Sequence, residues 1–106
     1  MNLVMRFLSF LFILSFFCKT SLADESILAL GDTEYGQHLA GECVTCHKAN
    51  TSKGIPSING YDKDVFVTLM LAYKNKEMEN QVMQMIAGRL DNEQIASLAL
   101  YFNKIK

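Results

Sequence analysis

A chain of 106 residues makes one domain at most. Ten basic residues stand against 11 acidic ones, for a net charge of −1 at neutral pH. That balance argues against nucleic acid as a partner, which wants a basic face, and there is no Lys/Arg cluster to suit an anionic membrane surface.

Residues 1–23 read as a secretory signal peptide. Arg6 supplies a thin positive region, and residues 7–17 form an apolar run. Ser21-Leu22-Ala23 places small residues where a signal peptidase requires them. The apolar run is shorter than the about 20 residues that span a bilayer. Cleavage is therefore expected over a retained anchor, with release into the periplasm and no stable membrane insertion afterwards. Cys18 follows Phe17, where a lipoprotein signal carries a small residue, so Cys18 is expected to leave with the signal. The remaining domain, residues 24–106, holds eight basic and 11 acidic residues, a charge of −3. A chain of this size is close to the lower limit for a self-sufficient core.

Residues 24–31 show no strong periodicity and read as a loose leader. Asp32-Thr33 can cap a helix, and Tyr35, Gly36, Leu39, Ala40 and Cys43 recur close to helical spacing. Gly36 costs stability inside a helix relative to Ala, and close approach of a second helix would account for it. His38, on the same helix, reads as a solvent-exposed side chain.

This helix runs into Cys43-Val44-Thr45-Cys46-His47. The form C-x-x-C-H reads as the covalent attachment site of a c-type haem. Two thiols three residues apart add across the two vinyl groups of the porphyrin. His47 then lies under the ring and offers an imidazole nitrogen to the iron. A redox dithiol would sit near a βαβ pattern, and no strand pattern is visible. A structural zinc wants four ligands, and beyond the motif there remain only Cys18 and His38. Export fits the reading, because bacteria join haem to this motif outside the cytoplasmic membrane. A buried haem would also supply much of the apolar volume that so short a chain lacks.

Residues 48–54 form a polar loop, and residues 55–60 hold the single proline. A haem-ligating His donates its second ring N–H to an acceptor, and the Pro56 carbonyl is a candidate for His47. On spacing alone a simple turn is an equal alternative. Residues 62–76 read as a helix capped by Asp62, with Val65, Phe66, Leu69, Met70 and Tyr73 on its apolar face and Met70 in the core. After a charged connector, residues 80–87 make a short apolar segment that Gly88 can end. Asp91 and Gln94 form a capping-box-like pair opening the last helix. Its stripe of Ile95, Leu98, Ala99, Phe102 and Ile105 is expected to face the first helix and the haem edge, with Tyr101 and Phe102 against Gly36. The fold class is all-α, with about four helices around one cofactor.

His plus Met ligation raises a haem's potential and suits an electron carrier. Met70, Met78, Met83 and Met85 are present in the domain. The ligand must come from a segment opposite His47, between the middle and last helices. That favours Met83 or Met85, with Met78 behind them.

Three stretches together resemble small monohaem class I cytochromes c: the haem motif, Ile55-Pro56-Ser57-Ile58-Asn59-Gly60, and an ending with Met83, Ile86-Ala87, Ile95, Leu98-Ala99 and Tyr101-Phe102. The likeness covers most of residues 36–102. It is strongest to the cytochrome subunit of flavocytochrome c sulfide dehydrogenase and to c4- and c553-like carriers. It implies a cytochrome c fold and an axial Met three residues before the Ile-Ala pair, which is Met83. Met85 would then pack in the core beside it. It also implies a proline carbonyl that orients the proximal His, which matches Pro56. The chain departs from the pattern in having no Trp, no second C-x-x-C-H and a short loop after His47. A two-haem arrangement is thereby excluded.

The expected activity is one-electron transfer through a His47/Met83-ligated haem held by Cys43 and Cys46. No Ser/His/Asp set or carboxylate dyad is recognisable, so the chain carries no catalytic residues of its own. The redox partner is either the flavoprotein of a sulfide dehydrogenase or, for a free soluble carrier, an oxidase or reductase. A haem sensor with an open sixth site is a third reading.

Overall fold

The computed structural model describes residues 26–48 and 54–106. The expected signal segment with Cys18, residues 24 and 25 of the leader, and positions 49–53 of the polar loop lie outside the described residues. Among the described residues the fold is all-α, with no strand. No helix among them is long and apolar enough to cross a membrane.

Among the described residues, five helices follow one another: α1 (Thr33–Leu39), α2 (Gly41–Cys46), α3 (Lys63–Lys74), α4 (Gln81–Gly88) and α5 (Asn92–Lys104). Asp32 caps α1, its carboxylate accepting from the Tyr35 amide at 2.8 Å. The single helix expected to carry the cysteines is divided at Ala40, which is buried at the joint. The Ala40 carbonyl accepts from both Cys43 and Val44, at 3.0 and 3.1 Å. Such sharing tightens the backbone locally, and Gly41, a poor helix former, comes next.

Asp62 opens α3 by accepting from the amides of Asp64 and Val65 at 2.9 and 3.0 Å. Phe66, Val67 and Met70 are buried, whereas Val65 is 46% exposed. The apolar face of α3 is therefore turned by part of a residue from the expected stripe, with Val67 replacing Val65. Asp91 and Gln94 form a complete capping box on α5, with reciprocal bonds of 2.8 and 2.9 Å.

Helix α5 is the centre of the fold. Ile95, Ala96, Leu98, Ala99 and Phe102 are at most 1% exposed, so it is buried well beyond one stripe. It packs on α1 and α3, and α4 packs on α3. Ile105 lies at the end of α5 as its cap and is half-buried. The α1–α5 crossing turns on Gly36, where a Cβ would lie 2.0 Å from the Ser97 carbonyl oxygen and 2.9 Å from the Tyr101 Cβ. The partners are thus Ser97 and Tyr101, while Phe102 points to Phe66, with ring centroids 6.0 Å apart. Buried Ser97 is satisfied because its hydroxyl accepts from the Asp32 amide at 3.0 Å.

The described part of the leader, residues 26–31, is not loose. Its backbone is helical at residues 26–28, and Ile27 and Leu28 pack on the core. Two apolar side chains in one turn suffice to dock it, although they are too few to set up a periodicity.

Gly36→Ala should lower stability by about 1–3 kcal/mol or more, because the added methyl meets backbone that cannot yield. Denaturant unfolding would show this as a lower midpoint, and an unchanged midpoint would contradict the tight crossing.

Candidate functional site

Helix α2 ends at Cys46, and His47 follows as its cap, with its amide donating to the Cys43 carbonyl at 2.8 Å. The His47 ring is fixed from outside the helix: Nδ1 lies 2.7 Å from the Pro56 carbonyl oxygen. A carbonyl can only accept, so Nδ1 is the donor, and in the neutral ring the lone pair then lies on Nε2. This is the tautomer a metal-binding imidazole needs. Pro56, which has no amide hydrogen of its own, lies in the segment that leads into α3. That segment is anchored at its far end. The Gly60 amide donates to the Phe102 carbonyl at 2.8 Å, and Asn103 donates to the Tyr61 carbonyl at 2.9 Å. Gly60 has φ +70 and a Cβ there would stand 3.1 Å from the Ile105 carbonyl oxygen, so both torsion and space favour glycine.

His47 and both cysteines open onto a cavity of about 540 Å³. That size falls inside the roughly 300–1,000 Å³ of cofactor and ligand pockets. One wall is α2 with residues 54–61. The rest of the lining comes from α3, through Phe66, Leu69, Met70 and Tyr73, and from the stretch between Met78 and Ile86. Cys43 is half-buried and Cys46 exposed, and both thiols are free. Burial, and then the neighbouring Glu42 carboxylate, push the Cys43 thiol above its usual range. A thiol in this setting is a poor nucleophile by itself. Across the surface, Arg89 and Glu42 approach to 3.6 Å, an exposed pair that adds little.

The thioethers separate clearly. Met83 is half-buried, packs on the core and lines the cavity. Met78 lines it from the connector and is 38% exposed. Met70 is a core residue, 6% exposed, whose side chain also reaches the cavity wall. Met85 is 60% exposed and not part of the lining, so it does not pack beside Met83. An eight-residue helix lying on a single neighbour has room for only one buried face, and positions 83, 86 and 87 take it. His38 is exposed on α1 and is not part of the lining.

Among the described residues, no group of three or more His, Cys, Asp or Glu could hold a metal ion. The donor chemistry instead suits a haem, which brings most of the iron's ligands itself and asks the protein for one or two axial donors. Cys43 and Cys46 could anchor it, His47 Nε2 could serve on one side, and the apolar cavity could take the ring. Tyr61 also lines the cavity and carried no signal, since one aromatic before a helix cap is not a pattern. Compared with known proteins, the chain matches no protein-family model and no curated protein sequence.

The two methionines whose settings differ most should respond in opposite ways. Met70→Ala should cost about 2–5 kcal/mol of unfolding free energy. Met85→Ser should stay within about 0.5 kcal/mol. Equal losses at the two positions would contradict the placement of α4.

Proposed function

We propose that the chain is a periplasmic c-type cytochrome that transfers single electrons through one haem bound covalently to Cys43 and Cys46. In this reading the fold is that of the class I cytochromes c, His47 and Met83 are the axial ligands, and Pro56 orients His47. The observation that carries it is the His47–Pro56 bond of 2.7 Å at the mouth of an apolar cavity that also receives both thiols of C-x-x-C-H. A redox dithiol has no use for a histidine fixed in one tautomer, whereas an axial ligand depends on it. The haem, when bound, supplies the one-electron couple. The chain's own residues hold it, exclude water from one face and keep the imidazole oriented.

The resemblance of the sequence makes the haem subunit of a flavin-dependent sulfide dehydrogenase the finer form of the proposal. One observation favours such a lasting partner. Ile55, Met78, Val82 and Met85 are 38–60% exposed, and the first three of them border the cavity. Apolar surface of this kind is usually covered in permanent complexes. The second reading is a free soluble carrier serving an oxidase or reductase.

Protein taken gently from the exported fraction should show a haem spectrum that survives denaturing electrophoresis, and a Cys43→Ala/Cys46→Ala variant should lose it. Haem absent from exported wild-type protein would refute the proposal. A flavin spectrum co-eluting in constant ratio would establish the enzyme-subunit form, and elution as a small haem protein alone would establish the free carrier. A ferric spectrum without a thioether ligand would point to a sensor with an open sixth site.

A further inference from the structure

The connector between α3 and α4 determines where α4 begins, and its bonds converge on one residue. Lys76 turns the chain at φ 58, in the left-handed region that non-glycine residues seldom occupy. The amides of Glu77 and Met78 then both donate to the Ala72 carbonyl, at 2.8 and 3.3 Å. Asn80 caps α4, its side-chain oxygen accepting from the Met83 amide at 3.0 Å. Gln84 reaches back from the next position, and its side-chain nitrogen donates to the Met78 carbonyl at 2.9 Å. The amide under Met83 and the residue after it are therefore both tied to the strained turn. Asn80 and Met83 line the same cavity.

A methionine side chain is long and unbranched, so it does little to hold its own sulfur in place. What limits the sulfur is the backbone beneath it. Met83 stands in the first turn of α4, the part of a helix most prone to fray, where its cap adds to the packing of its side chain on the core. Resting on the function proposed above, we infer that Asn80, assisted by Gln84, is a positioning residue that keeps Met83 at the iron. Its role is ligand retention, exerted through the backbone of the first turn of α4.

The test is competition with imidazole for the Met83 side of the oxidised holoprotein, read from the absorption band that a thioether–iron bond gives ferric haem. Asn80→Ala should bind imidazole about fivefold more tightly, the factor that a typical helix cap represents. Gln84→Ala should shift in the same direction by less, and Asn80→Ser, which can still cap, should return to within about twofold of wild type. Asp62→Ala removes the equivalent cap from α3, which carries no expected ligand, and should leave the imidazole affinity where it was. Equal shifts in Asn80→Ala and Asp62→Ala would reduce Asn80 to an ordinary stabilising cap and overturn the inference. So would no shift in Asn80→Ala. If Asn80→Ala does not accumulate, Gln84→Ala against Asp62→Ala decides the same question. Met83→Ala separates the two levels of argument. It should lose the band and bind imidazole most tightly of all, and if it behaves as wild type the ligand assignment itself fails.

Discussion

The fold depends on one contact between backbones, the crossing of α1 over α5 at Gly36. There the space for a side chain is taken by the Ser97 carbonyl. Residues near the two ends of the described chain are thereby held together, and the crossing is reinforced on both sides. Ser97 accepts from the Asp32 amide, and Gln94 donates to the Tyr35 hydroxyl at 3.2 Å. A core this small gains little from additional area. It gains more from letting two helices approach as closely as their main chains allow, which maximises the contacts each buried methyl can make.

That crossing also builds the site. Helix α2 continues from α1 through Ala40, so the position of the two cysteines and His47 is set by how α1 lies on α5. The segment bearing Pro56 is tied to the other end of the same helix, through the Phe102 carbonyl and the Asn103 side chain. The 2.7 Å bond between His47 and Pro56 thus joins two arms that both hang from α5. An imidazole held this way would need little rearrangement to serve as the axial ligand proposed above.

Much of this was legible in the sequence, for reasons that differ by residue. Asp32, Asp62 and Asp91 announced three helix starts because capping is local chemistry, written within four positions. Gly36 was legible as a close approach because a glycine has few other reasons to sit inside a helix. Its partner was not, since Ser97 looks like any polar residue of a solvent face until the Asp32 amide is beside it. Periodicity favoured Val65 over Val67 because the two flank the Phe66–Met70 face on either side, and a small rotation of α3 exchanges which of them is buried. Met85 was misplaced for a related reason: two methionines two residues apart in an apolar segment invite burial of both, yet they stand on opposite sides of a helix. The His47–Pro56 pairing was only one of two equal options on spacing, since a loop of unknown path links them.

The two sides of the cavity are held by different physics. The His47 side rests on α5, whose side chains are buried almost all round. The Met83 side rests on α4, eight residues long, which packs substantially on α3 alone. A helix of that length is not stable by itself in water, so it persists through its caps and through contacts such as that of buried Ala87. Lys74, bonding the Leu90 carbonyl, closes its far end. Local opening in a small protein begins where burial is least, and by that measure α2 is no firmer than α4: none of its residues is buried, whereas α4 buries Ala87, so α2 depends on the Pro56 bond to hold His47. If the chain is the cytochrome proposed, its histidine would be held by the Pro56 carbonyl and its methionine by the first turn of α4. Its potential would then depend on how firmly each of these two tethers is kept.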